Sequence, residues 1–137
     1  MTGSSLDRMI AIFDVRPDEG APGRFTGDSD GGGRRVVDGS QQLAQCLVAA
    51  GKALPGRPVR SVHAMFVAAA DPERPLEFTV ATVRAGRSFA SAVVTVAQGE
   101  RTCVTANVLL DHPQPDVIRH DRWTGPPPAS IGDHLTT

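Results

Sequence analysis

Apolar residues recur at helical spacing in one stretch near the middle of the N-terminal half. Four of them lie three or four residues apart: Leu43, Cys46, Leu47 and Ala50. This spacing places them on one face of a helix. Asp38 and Ser40, just before that face, are residue types that accept hydrogen bonds from the free N–H groups of a first helical turn. The pattern predicts a helix over about residues 39–53, opened by an acid that the helix dipole favours.

Beyond this helix the pattern changes to long runs that are apolar or alternate between apolar and polar residues, as is typical of β-strands. Four such runs cover residues 59–70, 76–84, 88–97 and 102–110. Short turns separate the last three, which predicts an antiparallel meander. Upstream, residues 6–13 fit a short helix or a strand, and residues 24–27 a short strand. The predicted fold class is α+β, with one main helix set against one sheet.

Length, charge and composition exclude several classes of protein. With 137 residues the chain has the length of one domain, and its net charge of −1 comes from scattered charges of both signs, so nothing marks a nucleic-acid or anionic-membrane surface. No run approaches the roughly 20 apolar residues of a membrane span. The N-terminus lacks the basic start and apolar core of a signal peptide. We therefore expect a cytoplasmic protein that binds neither nucleic acid nor membrane.

Two further features bear on organisation. Cys46 falls on the apolar face of the helix and Cys103 inside a strand, so two buried thiols are expected rather than a disulfide or a nucleophile. After Asp111 the chain becomes rich in proline, which cannot continue a sheet. We predict an N-terminal segment (residues 1–23), one folded domain (24–111) and a C-terminal tail (112–137).

Four segments stand out when taken together: VDGSQQLAQCL at 37–47, VRSVHAMF at 59–66, DPERP at 71–75 and RAGRSF at 84–89. In their order and spacing they resemble the first repeat of the acyl-CoA thioesterase II (TesB-like) family, and the resemblance covers roughly residues 24–128. It implies a hotdog fold, in which an antiparallel sheet wraps around a central helix. Because a single hotdog domain seldom stands alone, it also implies a homodimer, or a heterodimer with another hotdog chain.

The resemblance implies counterparts in this chain for only part of the family's catalytic residues. In this family the catalytic Asp, Ser/Thr and Gln lie mainly in a second repeat, and the first repeat normally has an apolar or aromatic residue where this chain has Asp38. The strand positions of the other two roles fall near Arg60 and Ala106, with Ser61 and Asn107 only as neighbours. The resemblance thus implies one catalytic carboxylate, at the helix start.

The leading hypothesis is an acyl thioesterase that hydrolyses acyl-CoA or acyl-carrier-protein thioesters, with Asp38 as base or nucleophile. Gly39, Ser40 and Gln41, at the positive end of the helix, would bind the substrate and polarise its carbonyl. Ser61 is a further candidate for substrate binding. The competing interpretation of Asp38 is a helix cap without catalytic function.

Two alternatives stay open. His63 lies in a predicted strand, where alternation places it on one face with Ser61 and Met65. If it met Asp38, possibly across subunits, the pair would suit a 3-hydroxyacyl-thioester dehydratase; otherwise His63 is a core residue. The other alternative is a non-catalytic hotdog subunit that shapes the acyl tunnel of an active partner. Neither a metal nor another cofactor is expected, because the remaining histidines are irregularly spaced and lack cysteine companions.

Overall fold

The computed structural model describes residues 5–115, 117, 118, 120 and 124–126, so most of the predicted tail lies outside the described residues. Within them the order is α1 (Ser5–Phe13), β1 (Arg16–Pro17), β2 (Arg24–Gly27), α2 (Gly39–Ala53), β3 (Val59–Phe66), β4 (Leu76–Ala85), β5 (Phe89–Gln98) and β6 (Arg101–Asp111). All strands pair antiparallel, in the order β1-β2-β4-β5-β6-β3. The predicted α+β class is confirmed, and β4, β5 and β6 form the expected meander.

Helix α2 has the predicted bounds, Gly39–Ala53. It begins at Asp38, whose backbone is extended and whose side chain accepts from Ser40 N–H, and it ends where the N–H of Leu54 donates to the carbonyl of Ala50. Its face toward the sheet carries small side chains, and Cys46, Ala49 and Ala50 are fully buried. These residues let the helix approach β3, β4, β5 and β6 together.

The core lies between α2 and one face of the sheet, which we call the inner face. Alternate residues of three strands are buried there: Leu76, Phe78 and Val80 of β4, Ala92, Val94 and Val96 of β5, and Val104, Ala106 and Val108 of β6. Burying a valine, leucine or phenylalanine side chain is worth about 1.5–3 kcal/mol. The opposite, outer face of the sheet is covered by no helix of the described chain.

Strand β3 is shorter than the run that predicted it. The apolar run extends to Ala70, but the strand ends at Phe66. The N–H groups of Val67 and Ala68 both donate to the carbonyl of Cys103, over 2.8 and 3.2 Å, so the chain turns out of the ladder there. Because β3 is an edge strand beside β6, one side of its backbone has no strand partner in the described chain.

The N-terminal part joins the same unit. Residues 6–13, for which the sequence left helix and strand open, belong to the helix α1, which packs on α2. Residues 17–23 have the composition of a turn, but Arg16 and Pro17 pair with β2 as a two-residue strand. The boundary at residue 23 stays a prediction. Among the described residues, no helix is long and apolar enough to cross a membrane.

Both cysteines are free and buried, as predicted. Burial raises the pKa of the Cys46 thiol to about 12 and also raises that of Cys103. Because the thiolate is the reactive form, neither cysteine has the environment of a nucleophile.

Candidate active site

The first turn of α2 fixes the Asp38 carboxylate from two sides. Its Oδ1 atom accepts hydrogen bonds from the N–H of Ser40 at 2.9 Å and from the Ser40 hydroxyl at 2.6 Å. Its Oδ2 atom is paired with the Arg34 guanidinium. The side chain is 44% exposed, so solvent and ligands reach it. Asp38 is therefore a helix cap and an accessible, oriented anion at once.

These contacts also set the charge of the carboxylate. The hydrogen bonds from Ser40, and after them the interaction with Arg34, hold the pKa of Asp38 below its ordinary value of 3.8. All of these donors favour the ionised form. At neutral pH the helix start thus carries a full negative charge.

Next to Asp38 the helix offers unused donors. The first N–H groups of any helix lack an acceptor one turn earlier. Asp38 satisfies that of Ser40, which leaves Gly39 and Gln41 without a partner inside the helix. The Phe66 ring lies over Gly39, where a Cβ atom would sit 3.0 Å from its Cε1 atom, so a larger residue at this position requires the ring to shift. The result is a carboxylate, two N–H donors and an apolar wall in one place.

Asp38, Ser40 and Gln41 line an open cavity of about 600 Å³, whereas Gly39 and Phe66 are not part of its wall. Its walls are α1, the loop of residues 28–34 and the first turn of α2. The charged side chains that line it have both signs: Arg8, Asp28, Asp30, Arg34 and Asp38. The volume lies in the range of about 300–1,000 Å³ typical of small-molecule sites.

A buried amide supports the cavity from below. The Nε2 group of Gln45, which is fully buried, donates to the carbonyls of Ile12 at 2.7 Å and of Asp28 at 2.8 Å. Gln41 donates to the same Asp28 carbonyl at 3.1 Å, so its side chain is engaged in structure. Gly27 makes room for Gln45, because a Cβ atom there would lie 2.9 Å from its Nε2. Helix α1 and the loop are thereby fixed to α2.

The structure brings together only part of the predicted site. Asp38, Gly39, Ser40 and Gln41 form the first turn of α2, as expected.

Ser61 and His63 lie elsewhere. Val62 and Ala64 pack against the core, so the alternating residues Ser61 and His63 point to the outer face, and both are exposed. The hypothesis that His63 is a core residue is wrong. Asp38 and His63 are on opposite faces of the sheet and do not meet within one chain.

Three residues of the site were missed. Arg34, Gln45 and Phe66 were not among the site residues predicted from the sequence. The glutamines at 41 and 45 did carry a signal, since residues four apart on a helix share a face and polar residues there need partners. No comparable signal pointed to Arg34 or Phe66, because the loop and the end of β3 bring them to Asp38.

Comparison with known proteins shows the family to which this chain belongs. Residues 27–110 match the family model described as the acyl-CoA thioesterase N-terminal domain, and the chain belongs to that family. The resemblance found in the sequence is thereby confirmed. The structural neighbours include TesB thioesterases, and this chain has the hotdog fold.

Curated relatives share part of their length with this chain. Acyl-CoA thioesterase 2 of Haemophilus influenzae is 39% identical over 91 residues, which cover 66% of this chain and 32% of that protein. Acyl-coenzyme A thioesterase 8 of Mus musculus is 32% identical over 99 residues, covering 70% of this chain and 31% of that protein. The chain thus spans about a third of the length of these relatives.

Solved structures show the same relation. A TesB protein of Mycobacterium avium subsp. paratuberculosis superposes with a TM-score of 0.76 at 26% identity, over 91% of this chain and 50% of that one. An uncharacterized protein of Pyrococcus horikoshii superposes with a TM-score of 0.64 at 13% identity, over 75% of this chain and 85% of that one. At that identity the second match speaks for the fold alone.

Proposed function

We propose that this chain is the hotdog domain of an acyl thioesterase that hydrolyses acyl-CoA thioesters at the start of α2. The observation that carries the proposal is the ionised Asp38 carboxylate beside the free N–H groups of Gly39 and Gln41, at the edge of a cavity of about 600 Å³. Membership in the acyl-CoA thioesterase family supports the reaction type. Thioesters of acyl carrier protein are the alternative substrates, and their hydrolysis is to be compared with that of acyl-CoA.

In this proposal Asp38 acts as a base toward water. Direct attack by Asp38 on the thioester carbon is the alternative role of the same carboxylate. Water loses a proton to the carboxylate as its oxygen bonds to the thioester carbon. The N–H groups of Gly39 and Gln41 stabilise the negative charge that develops on the carbonyl oxygen. Collapse breaks the C–S bond, and the thiolate leaves and takes up the proton.

A second hotdog domain would complete the site. In the first turn of α2 the Ser40 hydroxyl and the Gln41 amide are already engaged, and the other serine that lines the cavity, Ser5, lies at the start of α1. We propose that β3 pairs with the edge strand of a second copy or of another hotdog chain. Met65, Phe66 and Val67, at the end of this edge, are each more than half exposed.

Thiol release from acyl-CoA by the purified protein tests the reaction. Asp38→Asn keeps a cap but removes the base, so we expect kcat/KM to fall at least about 100-fold. The matched control is Asp71→Asn. Asp71 also accepts a backbone hydrogen bond, from Glu73 N–H at 2.9 Å, but it does not line the cavity. Equal activity of wild type and Asp38→Asn would contradict a catalytic Asp38.

The hypothesis of a non-catalytic subunit keeps one specific support, namely that Asp38 is engaged as a cap and in an ion pair. It predicts no thiol release by this chain alone and release when a second hotdog chain is added. The dehydratase hypothesis gains no support from the geometry, because Asp38 and His63 lie on opposite faces of the sheet. An enoyl product from a 3-hydroxyacyl thioester, without free thiol, would reverse that judgement.

A further inference from the structure

The two oxygens of the Asp38 carboxylate differ in how many hydrogen bonds they accept. An ionised carboxylate has about four acceptor sites, two on each oxygen. Among the described residues, Oδ1 accepts two hydrogen bonds, both from Ser40, and Oδ2 accepts one, from Arg34. The acceptor site that remains open therefore lies on Oδ2. Because a general base takes up a proton at a free acceptor site, Oδ2 is the oxygen that can accept the proton of water.

Ser40 alone does not fix the direction of Oδ2. Both of its hydrogen bonds end on Oδ1, and the terminal torsion of an aspartate side chain is broad and roughly twofold. The bond from Arg34 Nη1 to Oδ2 adds a second point of attachment, on the other oxygen. With both oxygens held, the plane of the carboxylate is set, and with it the direction of the open acceptor site.

The loop before α2 has a specific geometry that places Arg34. The N–H of Arg34 donates to the carbonyl of Gly31 at 2.8 Å, which closes a four-residue turn. The two central residues, Gly32 and Gly33, have φ values of +53° and +81°, a left-handed backbone that glycine adopts without strain. The Asp30 carboxylate accepts a hydrogen bond from Gly32 N–H at 2.7 Å and supports the turn. The three consecutive glycines thus form a turn that presents the following arginine to the helix start.

Resting on the thioesterase function proposed above, we propose that Arg34 is a positioning residue that orients Oδ2 of Asp38 toward the water that attacks the thioester. The water proton passes to Oδ2 while the water oxygen bonds to the thioester carbon, and the departing thiolate takes that proton up. Arg34 and Asp38 both line the cavity of about 600 Å³, and the Arg34 side chain is 69% exposed. Because an ion pair exposed to this degree contributes little to stability, its effect falls on the carboxylate rather than on folding.

Arg34→Gln tests this role in thiol-release assays of the full chain with butanoyl-CoA and dodecanoyl-CoA. We expect kcat to fall at least about tenfold, because a misdirected base loses part of its effect, while KM changes less than about twofold. Arg35→Gln is the matched control, since it removes the same charge from the next residue, which is exposed and does not line the cavity. Arg35→Gln should keep the wild-type kcat, and both variants should melt within about 2 °C of wild type.

Titration of Asp38 gives a readout that does not depend on turnover. The hydrogen bonds from Ser40, and after them the interaction with Arg34, hold the pKa of the Asp38 carboxyl down. Carbon-13 NMR of that carboxyl should therefore show a higher pKa in Arg34→Gln than in wild type, and the wild-type pKa in Arg35→Gln. The other charged side chains that face the cavity are the same in all three proteins, namely Arg8 of α1 and Asp28 and Asp30 of the loop.

Wild-type kcat in Arg34→Gln, or an equal loss in Arg35→Gln, overturns the positioning role. A higher KM with unchanged kcat also overturns it, because Arg34 would then bind the substrate. Absence of thiol release by wild type would instead contradict the thioesterase function, and the titration then decides whether Arg34 holds the carboxylate. An equal pKa of Asp38 in wild type and Arg34→Gln overturns that contact, and a higher pKa in the variant supports it.

Discussion

Asp38 is both a cap and an anion, and substitution separates the two roles. Asparagine accepts the Ser40 N–H bond as aspartate does, but it has no charge to pair with Arg34. Asparagine caps helices about as well as aspartate, and exposed ion pairs contribute little. At pH 7 we expect Asp38→Asn to melt within about 2 °C of wild type, and Asp38→Ala about 4 °C lower. Thermal denaturation followed by circular dichroism measures both.

The same residue predicts a dependence on pH. Because folding lowers the pKa of Asp38 below 3.8, its charge stabilises the folded state above that value. This contribution is lost as the pH falls through the lower pKa of the folded state. The difference in Tm between wild type and Asp38→Asn should therefore be constant above about pH 5 and vanish toward pH 2. A difference that grows on acidification would contradict the assigned direction of the shift.

The burial of both cysteines predicts that they do not react with thiol reagents in the native protein. With a pKa of about 12, Cys46 is thiolate in only about one molecule in ten thousand at pH 8, and it is also shielded from reagents. Cys103 is buried as well. We expect no reaction with a chromogenic disulfide reagent in the native protein within minutes, and two thiols per chain in guanidinium chloride. One fast native thiol would show that a cysteine is accessible.

At the scale of elements, Gln45 links α1, the loop after β2 and helix α2. Gln45→Leu keeps the volume but removes the donor to the Ile12 and Asp28 carbonyls. Leaving buried polar groups unpaired costs about 1–3 kcal/mol. We expect the free energy of unfolding to fall by about 2 kcal/mol, measured by urea denaturation.

Gln42→Leu is the matched control on the same helix. Gln42 is also buried, but it makes one long bond, 3.3 Å to the Val37 carbonyl, and its Oε1 has no hydrogen-bond partner among the described residues. Removing that oxygen offsets the lost bond, so we expect a change below about 0.5 kcal/mol. If both variants lose the same stability, the link between α1 and α2 does not depend on Gln45.

The sequence predicts elements where local pattern decides them. The bounds of α2 follow from its cap and apolar face, and β4 to β6 follow from alternation and turns. The end of β3 does not, because the apolar run continues to Ala70 while hydrogen bonds to Cys103 turn the chain after Phe66. The sequence pattern does not predict strand β1 either, because two residues form a strand only by pairing with β2.

The candidate site was likewise predicted only where local sequence pattern determines it. Asp38 and its neighbours could be found because a helix start is a local feature. Alternation correctly grouped Ser61 with His63, but the sequence did not tell which face of the sheet they occupy. Packing of Val62 and Ala64 on the core decides that. Arg34 and Phe66 reach Asp38 and Gly39 through the loop and the strand end, which sequence patterns do not specify.

At the scale of the molecule, the two edges of the sheet differ. On one side the sheet ends in the short strands β1 and β2. On the other side it ends in β3, eight residues long, next to exposed Phe66 and Val67. A long edge strand presents unpaired N–H and C=O groups that favour pairing with another strand. In an antiparallel pair related by twofold symmetry and centred on His63, Ser61 of one chain would face Met65 of the other.

Lysine at both of these positions therefore tests the β3 pairing proposed above. Ser61→Lys with Met65→Lys places like charges opposite one another across the twofold axis, which destabilises a cross-strand pair. Light scattering after gel filtration should give about twice 14.4 kDa for wild type and 14.4 kDa for the double variant. The matched control is Thr79→Lys with Val83→Lys, two exposed positions on β4, and it should stay dimeric because β4 lies between β2 and β5. A dimer that survives both double substitutions must use another surface, whereas a wild-type monomer would mean that β3 awaits a different hotdog chain.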